Sequence, residues 1–343
     1  MIESPDSRAQ TYLITGGAGF IGSHLAEALL AEGNRILALD DLSTGRIENI
    51  RHLSDHPAFD FVRGSITDTK TVDQLTEQAD VVVHLAASVG VKLILEQPVR
   101  TIENNVMGTE TILKSAQRHD RRVLIASTSE VYGKGRRIPF NEEDDVVLGA
   151  TSKSRWAYAA SKMMDEFYGL ACYEEYGLPV VLFRLFNTVG PRQTGHYGMV
   201  VPRLIDQALN GERITVYGDG TQRRCFCDVA DAVRAIVGLA KHPNSPGRVF
   251  NVGNTEEVTI RELAERIKLM TESTSEIVLV PYSKAYEDPG YEDMERRKPD
   301  TRRVQALLGW KPEHTLDSIL GRVISYRKRE LAGVETSAHA REA

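Results

Sequence analysis

A glycine-rich segment near the start of the chain places the tightest constraint on the fold. The stretch TYLITGGAGFIGSHLAEALL, residues 11–30, carries Gly16, Gly19 and Gly22 directly after a strand-like run and directly before a helical one. Glycines at this spacing allow a tight turn and a close approach of the backbone to a pyrophosphate, which the N-terminus of the helix then faces. The pattern predicts a dinucleotide site at the first turn of an α/β domain.

Strand-like and helical patterns alternate over the first half of the chain. Short β-rich runs such as RILALD and DVVVHLA alternate with helical patterns over residues 20–32, 98–119 and 156–176. This alternation is typical of βαβ units and predicts an α/β fold with a doubly wound parallel Rossmann sheet. The looser pattern that follows predicts a smaller, mixed α/β C-terminal lobe. We divide the chain into a cofactor domain (1–186), a mainly substrate-binding lobe with segments that return to the first domain (187–330) and a disordered tail (331–343).

An acidic residue at the end of the second predicted strand indicates which dinucleotide binds. Asp40 closes the run RILALD, where a carboxylate can accept hydrogen bonds from both ribose hydroxyls of the adenosine. An acid here repels a 2′-phosphate, so NAD is favoured over NADP, and the alternative is a solvated loop residue, which we expect of Asp41. The predicted cofactor-binding residues are Gly16, Gly19, Phe20, Ile21, Gly22, Asp40, Leu85, Ala86, Ala87, Tyr158 and Lys162.

Composition excludes several classes of protein. The formal net charge of −6 argues against broad nucleic-acid binding, which needs a basic face. The first ten residues lack an apolar run, and the most apolar stretch, VVVHLAASVGV, is too short to cross a bilayer, so we expect a cytoplasmic protein. Cys172, Cys225 and Cys227 are odd in number and lack zinc-site spacing, so we expect three buried thiols and no metal site.

Two further segments predict an acid–base site. RWAYAASK, residues 155–162, puts Tyr158 and Lys162 on one face of a predicted helix, which alone describes only a half-buried surface helix. LIASTSEVYG, residues 124–133, ends a predicted strand with Thr128, Ser129 and Glu130, and such strand ends face the ligand crevice of a doubly wound sheet. A nearby ammonium and the positive nicotinamide ring of NAD⁺ favour the phenolate of a tyrosine, whose ordinary pKa is about 10. We therefore expect Lys162, together with the bound cofactor, to lower the pKa of Tyr158.

Together these motifs resemble the extended short-chain dehydrogenase/reductase family over about residues 11–330. The resemblance rests on GGAGFIG, on the Ser/Thr at the fifth strand and on the Tyr-x-x-x-Lys pair. It implies that Tyr158 is the acid/base, that Lys162 binds the nicotinamide ribose and that Thr128 hydrogen-bonds the substrate hydroxyl, with NAD as the cofactor. It also implies a homodimer, because helices 98–119 and 156–176 resemble those that form a four-helix bundle between subunits. The apolar residues Met163, Phe167 and Leu170 would lie in that interface or in the core.

Four segments in order resemble the UDP-glucuronate decarboxylases within that family. They are RWAYAASK, LFRLFNTVGPR (182–192), GTQRRCFCDV (220–229) and GYEDMERRKPD (290–300). By this resemblance Arg297 approaches the sugar carboxylate and works with Glu130 and Ser129. The implied substrate-binding residues are Arg155, Asn187, Arg192, Arg203, Arg224 and Tyr291.

The implied reaction oxidises the sugar at C4, releases CO₂ from the resulting β-keto acid and protonates C5 through Glu130 or a water it orients. The product is UDP-xylose, or UDP-4-keto-pentose if NADH leaves first. The segment TVGPRQTGHYGMVVPR also resembles epimerases and dehydratases. A UDP-sugar 4-epimerase acting on UDP-glucose or UDP-glucuronate, a nucleotide-sugar 4,6-dehydratase and a non-catalytic NAD-binding protein therefore stay open as alternatives.

Overall fold

The computed structural model describes residues 9–89, 97–195, 199–285 and 294–342, with the backbone alone over 333–342. The described strands are β1 Thr11–Thr15, β2 Arg35–Asp40, β3 Phe59–Arg63, β4 Val81–His84, β5 Arg122–Thr128, β6 Val180–Leu185, β7 Thr188–Val189, β8 Ile214–Tyr217, β9 Arg223–Cys225, β10 Cys227–Asp228, β11 Arg248–Val252, β12 Glu257–Thr259, β13 Ile277–Val280 and β14 Arg296–Arg297. The described α-helices are α1 Phe20–Ala31, α2 Thr69–Gln78, α3 Pro98–His119, α4 Trp156–Tyr176, α5 Val200–Leu209, α6 Val229–Lys241, α7 Ile260–Met270, α8 Tyr282–Ala285, α9 Arg302–Leu308 and α10 Leu316–Glu342.

Seven parallel strands form the main sheet in the order β11, β6, β5, β4, β1, β2, β3. The chain starts in the middle with β1 and winds outward in both directions, which is the doubly wound arrangement that the sequence predicts. Helices α1 and α6 cover one face through residues such as Leu29 and Ile236, and α2, α3 and α4 cover the other through residues such as Leu113. The predicted α/β Rossmann fold is confirmed.

A second set of elements packs beside the carboxyl ends of the sheet. Here β9, β12 and β14 form a small sheet, while β8 pairs with β13 and β7 with β10. A separate apolar core joins α5, α7 and α10 through residues such as Leu204, Leu263 and Ile319. Strand β11 comes later in sequence than the first strands and helix of this lobe, yet it pairs with β6 in the main sheet.

Three other expectations concern particular segments. The three cysteines are buried free thiols, as expected. Helix α10 runs to Glu342, whereas the sequence predicts disorder from residue 331. Within the described part of the chain, no helix combines the length and apolar character that crossing a bilayer requires.

Candidate active site

The glycine-rich loop connects β1 to α1 at the centre of the sheet. Gly16 has φ of +70° and its amide donates to the Leu39 carbonyl at 2.8 Å, so the loop turns back against β2. A Cβ on Gly22 would lie 2.1 Å from the Gly16 carbonyl oxygen, which only glycine avoids. No side chain of the described residues caps α1, so its first-turn amides are available to an anion.

Asp40 ends β2 beside this loop, and its carboxylate lines the central cavity. It accepts hydrogen bonds from the backbone amides of Ala18 at 3.0 Å and Leu42 at 2.8 Å. Burial raises the pKa of Asp40 above its ordinary value, and these N–H donors counteract part of that effect. Asp41 is exposed, as expected.

The cavity has a volume of about 470 Å³ and is also lined by Leu85, Ala86 and Ala87. The uncapped helix, the compact glycine loop and the buried carboxylate fit the pyrophosphate and the adenosine ribose of NAD.

Tyr158 lies on the first turn of α4, opposite the end of β5. The side chain is buried, and the Thr128 hydroxyl is hydrogen-bonded to it. Burial, followed by the negative charge of Glu130, raises the pKa of Tyr158 above its ordinary value, although the Thr128 hydrogen bond and Arg297 act to lower it. For the chain alone, this is the opposite of the lowering expected from Lys162.

A smaller contribution to the raised pKa of Tyr158 comes from the partner of Lys162. Its Nζ lies 2.6 Å from Oδ2 of Asp165, one turn further along α4, and both side chains are buried. The positive charge beside Tyr158 is therefore balanced by a carboxylate, which itself acts to raise the pKa of Tyr158.

Glu130 lies between two guanidinium groups above the same cavity. Its Oε2 is 2.7 Å from Nη1 of Arg155, and its Oε1 is 2.5 Å from Nη2 of Arg297. Burial alone would raise the pKa of Glu130, but Arg297 and Arg155 lower it to about 2. The group is therefore a carboxylate at neutral pH. Ser129 is buried beside it and lines the cavity.

Arg297 reaches this position from the small lobe. It lies on β14, which pairs in parallel with β9 and places Arg297 opposite Arg224. The Asn187 side chain lies alongside, since its Oδ1 accepts from Nη1 of Arg297 at 3.4 Å and its Nδ2 donates to the Cys225 carbonyl at 2.9 Å. Asn187 has φ of +35°, a conformation that asparagine tolerates better than most residues. Arg224 also acts to lower the pKa of Glu130, so positive charge surrounds this carboxylate.

This geometry is that of a dinucleotide-dependent acid–base site, and the comparison with known proteins agrees with it. The family model described as GDP-mannose 4,6 dehydratase matches residues 13–323. The chain belongs to this family. Three predictions are confirmed: the protein is an extended short-chain dehydrogenase/reductase, it is an enzyme, and its cofactor is NAD.

Three members of the wider group illustrate the similarity. The chain is 42% identical over 315 residues to the UDP-N-acetyl-alpha-D-glucosaminuronate decarboxylase of Bacillus cytotoxicus, with 92% of this chain and 96% of that protein covered. It is 38% identical over 320 residues to UDP-glucuronic acid decarboxylase 1 of Danio rerio, with 93% and 73% covered. The crystal structure of UDP-glucuronic acid 4-epimerase from Bacillus cereus, in complex with UDP-glucuronic acid and NAD, superposes with a TM-score of 0.83 at 28% identity, covering 93% and 99%.

Two other predicted site residues, Arg192 and Arg203, line the cavity of this GDP-mannose 4,6 dehydratase family member and are bonded to other parts of the chain. Arg192 lines the cavity, but its guanidinium contacts Glu27 and Ser23 of α1. Arg203 donates to the Thr215 carbonyl at 2.8 Å and stacks on Tyr217, with 4.1 Å from its Cζ to the ring centroid. Tyr291 lies outside the described residues.

Sequence reasoning missed several residues that line the cavity or support its walls. Asp165 is the partner of Lys162, and its position one turn after Lys162 was a signal that could have found it. Glu166 forms a bidentate pair with Arg184 behind the Ser127 hydroxyl, and nothing in the local sequence pairs those two residues. Gln222 and Tyr282 also line the cavity, and Nε2 of Gln222 donates to the Tyr282 hydroxyl at 3.1 Å.

Proposed function

We propose that the protein decarboxylates a UDP-uronic acid through a UDP-4-keto sugar, with UDP-glucuronate as the first candidate substrate. The observation that carries the proposal is the placement of Arg297 and Arg155 around Glu130, beside the Tyr158 and Thr128 pair. A guanidinium at this point can bind a C5 carboxylate bidentately while the tyrosine acts on the neighbouring C4 hydroxyl. The named activities of the decarboxylase relatives support the same substrate class.

The proposed roles follow from these positions. Tyr158 takes the O4 proton, and Thr128 holds the same oxygen. NAD, when bound, accepts the hydride from C4. Arg297 holds the carboxylate of the resulting β-keto acid, and loss of CO₂ leaves an enolate that the Thr128 and Tyr158 hydroxyls stabilise as its charge develops. The hydrogen bonds from Thr128 and Tyr158 are therefore strongest when the negative charge on the enolate oxygen is greatest.

The ionisation of Glu130 favours one of the two routes for protonating C5. Because the two arginines lower the pKa of Glu130 to about 2 before substrate binds, this side chain enters the reaction as a carboxylate at neutral pH. We propose that the Glu130 carboxylate, together with Ser129, orients a water that delivers the proton. Return of the hydride gives UDP-xylose, and loss of NADH before that step gives UDP-4-keto-pentose.

The remaining predicted residues have proposed roles in holding the two ends of the substrate. UDP-glucuronate carries about three negative charges, which an acidic protein can hold only by gathering arginines locally. Arg203, Arg224 and Tyr291 are proposed to lie around the UDP, with Arg155 and Asn187 near the sugar. Arg192 is proposed to act at the diphosphate through its place between α1 and the cavity. We also propose the division of the chain into residues 1–186 for NAD and 187–330 mainly for the nucleotide sugar.

A second candidate substrate is the N-acetylated uronic acid, favoured by the 42% identity to the Bacillus cytotoxicus enzyme. The deciding experiment incubates the protein and NAD⁺ with UDP-glucuronate or with UDP-N-acetylglucosaminuronate and measures CO₂ and the sugar product. Release of CO₂ with a UDP-pentose, or with its N-acetylated counterpart, supports decarboxylation of that substrate. UDP-galacturonate without CO₂ would make the protein a 4-epimerase, and a 4-keto-6-deoxy sugar from a nucleotide hexose would make it a dehydratase. A Tyr158→Phe variant as active as the wild type would contradict the mechanism.

We propose that the protein is a homodimer that pairs α3 and α4 in a four-helix bundle. Large apolar side chains are exposed along both helices, including Val99 at 66%, Met107 at 54% and Phe167 at 63%. Several large exposed apolar side chains on two neighbouring helices are the feature expected of an interaction surface. Met163 and Leu170 instead pack partly against the cores, so Phe167 alone of those three faces outward.

Sedimentation of a Phe167→Glu variant tests the dimer. We expect the wild type to sediment as a dimer and the variant as a monomer, because a buried glutamate would be unpaired at the interface. Leu269→Glu is the matched control, since Leu269 is 78% exposed on α7, away from this face. A monomeric wild-type protein, or a dimeric Phe167→Glu variant, would contradict the proposal. We also propose a cytoplasmic location, which fractionation of the source cells would test.

A further inference from the structure

Asn251 on β11 is a buried amide that joins three separate segments of the chain. Its Oδ1 accepts from the Tyr132 hydroxyl at 2.7 Å, and its Nδ2 donates to the Phe140 and Asp300 carbonyls at 2.9 and 3.2 Å. Its backbone amide also donates to Oε1 of Glu142 at 2.8 Å. The exposed fraction of Asn251 is 0%, so these partners take the place of water.

The partners leave one orientation for the Asn251 side chain. Carbonyl oxygens only accept hydrogen bonds, so the group that faces the Phe140 and Asp300 carbonyls must be the NH₂ group. The amide oxygen then faces the Tyr132 hydroxyl. Burial raises the pKa of Tyr132 to about 12, so this hydroxyl keeps its proton and donates it. Both N–H groups and the oxygen of the side chain thus have partners, and a fully bonded buried amide holds its neighbours rigidly.

Two of the joined segments carry the members of the ion pair above the cavity. Tyr132 ends the short turn Ser129–Tyr132, which contains Glu130. Asp300 follows Arg297 closely in sequence, and Arg297 lies on β14. Strand β14 has only two residues and pairs with β9. A strand this short needs further contacts to hold its side chains in place.

Phe140 supplies such contacts. Its amide donates to the Lys298 carbonyl at 2.8 Å, and its carbonyl accepts from the Asp300 amide at 2.8 Å. Its ring stacks on that of Tyr132, with 4.6 Å between the centroids and 1° between the planes. Phe140 therefore contacts both segments, and Asn251 is bonded to all three.

We propose that Asn251 is a positioning residue for Arg297. Together with the Tyr132 hydroxyl, it fixes the segment after β14 against the turn that holds Glu130, so that the guanidinium is in place before a substrate binds. The proposal rests on the role of Arg297 as the carboxylate-binding residue in the proposed function. Neither Asn251 nor Tyr132 is among the described residues that line the cavity, so both act through Arg297 and not on the substrate.

A purely structural role for Asn251 is the alternative, because a buried amide can also stabilise a fold without affecting its chemistry. The two roles differ in what a loss affects. Loss of a structural support should weaken NAD⁺ binding as well as activity. Loss of a positioning residue should lower activity toward a UDP-uronate, leave NAD⁺ binding intact and have no further effect once Arg297 is removed.

The Tyr132→Phe variant removes the hydroxyl that orients the Asn251 amide and keeps the aromatic stack. We expect kcat/KM for CO₂ release from UDP-glucuronate or UDP-N-acetylglucosaminuronate to fall on the order of tenfold, because small misplacements of a substrate-binding group are costly. NAD⁺ affinity, measured by calorimetry, should not change. Tyr12→Phe is the matched control, since Tyr12 is also buried and its hydroxyl donates to Gln10 at 3.0 Å. Equal kcat/KM for the two variants, or an equal loss of NAD⁺ affinity and kcat/KM in Tyr132→Phe, would overturn the proposal.

A double-mutant cycle shows whether the loss depends on Arg297. In an Arg297→Gln background, Tyr132→Phe should change kcat/KM by less than about twofold, because the group that it helps to position is already gone. Asn251→Ser should lower kcat/KM more strongly than Tyr132→Phe when Arg297 is present, and should again have little effect when it is absent. Losses that multiply in the double variants would contradict a role through Arg297.

Hydrogen exchange tests the anchoring without any substrate. In Asn251→Ser, the amides of Phe140 and Asp300 should exchange about tenfold faster than in the wild type, because the junction between the two segments opens more often. Tyr132→Phe should have a smaller effect in the same direction, which keeps the test available if the serine variant does not fold. Asn34→Ser is the control, since Asn34 is also buried and its side chain donates to a backbone carbonyl of α1 at 3.0 Å.

The exchange result separates the two ways in which the inference could fail. Unchanged exchange of both amides in the Asn251 and Tyr132 variants would overturn the anchoring, whatever the substrate is. Faster exchange in a protein that releases no CO₂ from either UDP-uronate would instead overturn the proposed function and still support the anchoring of the segment after β14.

Discussion

The Glu130 carboxylate and the Arg297 guanidinium form an ion pair, with 2.5 Å between Oε1 and Nη2, although they come from the segment after β5 and from β14, far apart in sequence. The side chains are 15% and 10% exposed, so the pair is largely removed from water. Such pairs seldom add much to stability, because desolvation offsets their attraction. The proposed function gives the pair a role, because it places a guanidinium beside Tyr158, the proposed acid/base for the C4 hydroxyl.

Replacing Arg297 by Gln should lower kcat/KM for a UDP-uronate on the order of 10²–10³-fold, because removing one member of a buried pair leaves the other charge uncompensated. Steady-state kinetics of CO₂ release measure the effect. Arg296→Gln is the matched control, since Arg296 is the exposed neighbour that pairs with Glu257. Equal activity of the two variants would rule out Arg297 as the carboxylate-binding residue.

Glu130 should make folding stability depend on acid pH. Its pKa is lowered from 4.5 to about 2, so the stabilisation is present above pH 4.5 and is lost as pH falls toward 2. The linked free energy is about 3 kcal/mol. Urea unfolding of the wild type and of Glu130→Gln at pH 6 and pH 3 measures it. The variant should lose less stability between these two values than the wild type. A parallel loss would contradict the lowered pKa, and Glu48→Gln on the exposed surface should behave as the wild type does.

Gly22→Ala should abolish NAD binding and destabilise the fold. The added Cβ would lie 2.1 Å from the Gly16 carbonyl oxygen, so the loop and the start of α1 must separate. Gly321→Ala is the control, because that glycine is also helical and its Cβ would meet only Met270 at 3.9 Å. We expect the control to be neutral or more stable by up to about 1 kcal/mol. Calorimetric titration with NAD⁺ and thermal unfolding report both effects, and NAD affinity retained in Gly22→Ala would show that the close packing is dispensable.

The buried Arg184–Glu166 pair should behave as a unit. Nε and Nη2 of Arg184 lie 2.8 and 2.6 Å from the two oxygens of Glu166, and Arg184 also stacks on Tyr132. Arg184→Met or Glu166→Gln alone should cost about 3–5 kcal/mol, because each leaves a buried charge unpaired. The double variant should cost clearly less than the sum of the two, as measured by chemical denaturation. Additive effects would mean that the two side chains do not interact.

The elements of the fold were readable from the sequence because their signals are local. The glycine-rich turn, the apolar strands and the helical patterns over 98–119 and 156–176 each lie within one short stretch. The end of the last helix was not readable, since the polar segment after residue 330 has the composition of a disordered tail yet continues α10.

The site was readable only in part, because its partners come from separate elements. Tyr158 and Thr128 could be paired by the rule that strand ends face the crevice. Local patterns did not indicate that Arg192 turns toward Glu27, or that Lys162 has Asp165 as its partner. Those contacts form because folding brings the side chains together and neighbouring helices and strands shield them from water. A local sequence pattern does not show which elements will do so.

The parallel pairing of β14 with β9 has a consequence for how the activity could diversify. The proposed hydride chemistry lies at the central sheet and α4, whereas the guanidinium proposed to bind the acid group of the sugar lies on a two-residue strand at the edge of a small sheet. If these roles hold, we expect a change in that strand to alter which sugar is accepted and to leave the site of hydride transfer unchanged. The residues proposed for hydride transfer and those proposed for substrate specificity therefore lie on different elements. Grafting the segment around Arg296–Arg297 onto a related epimerase is a direct way to change substrate specificity alone.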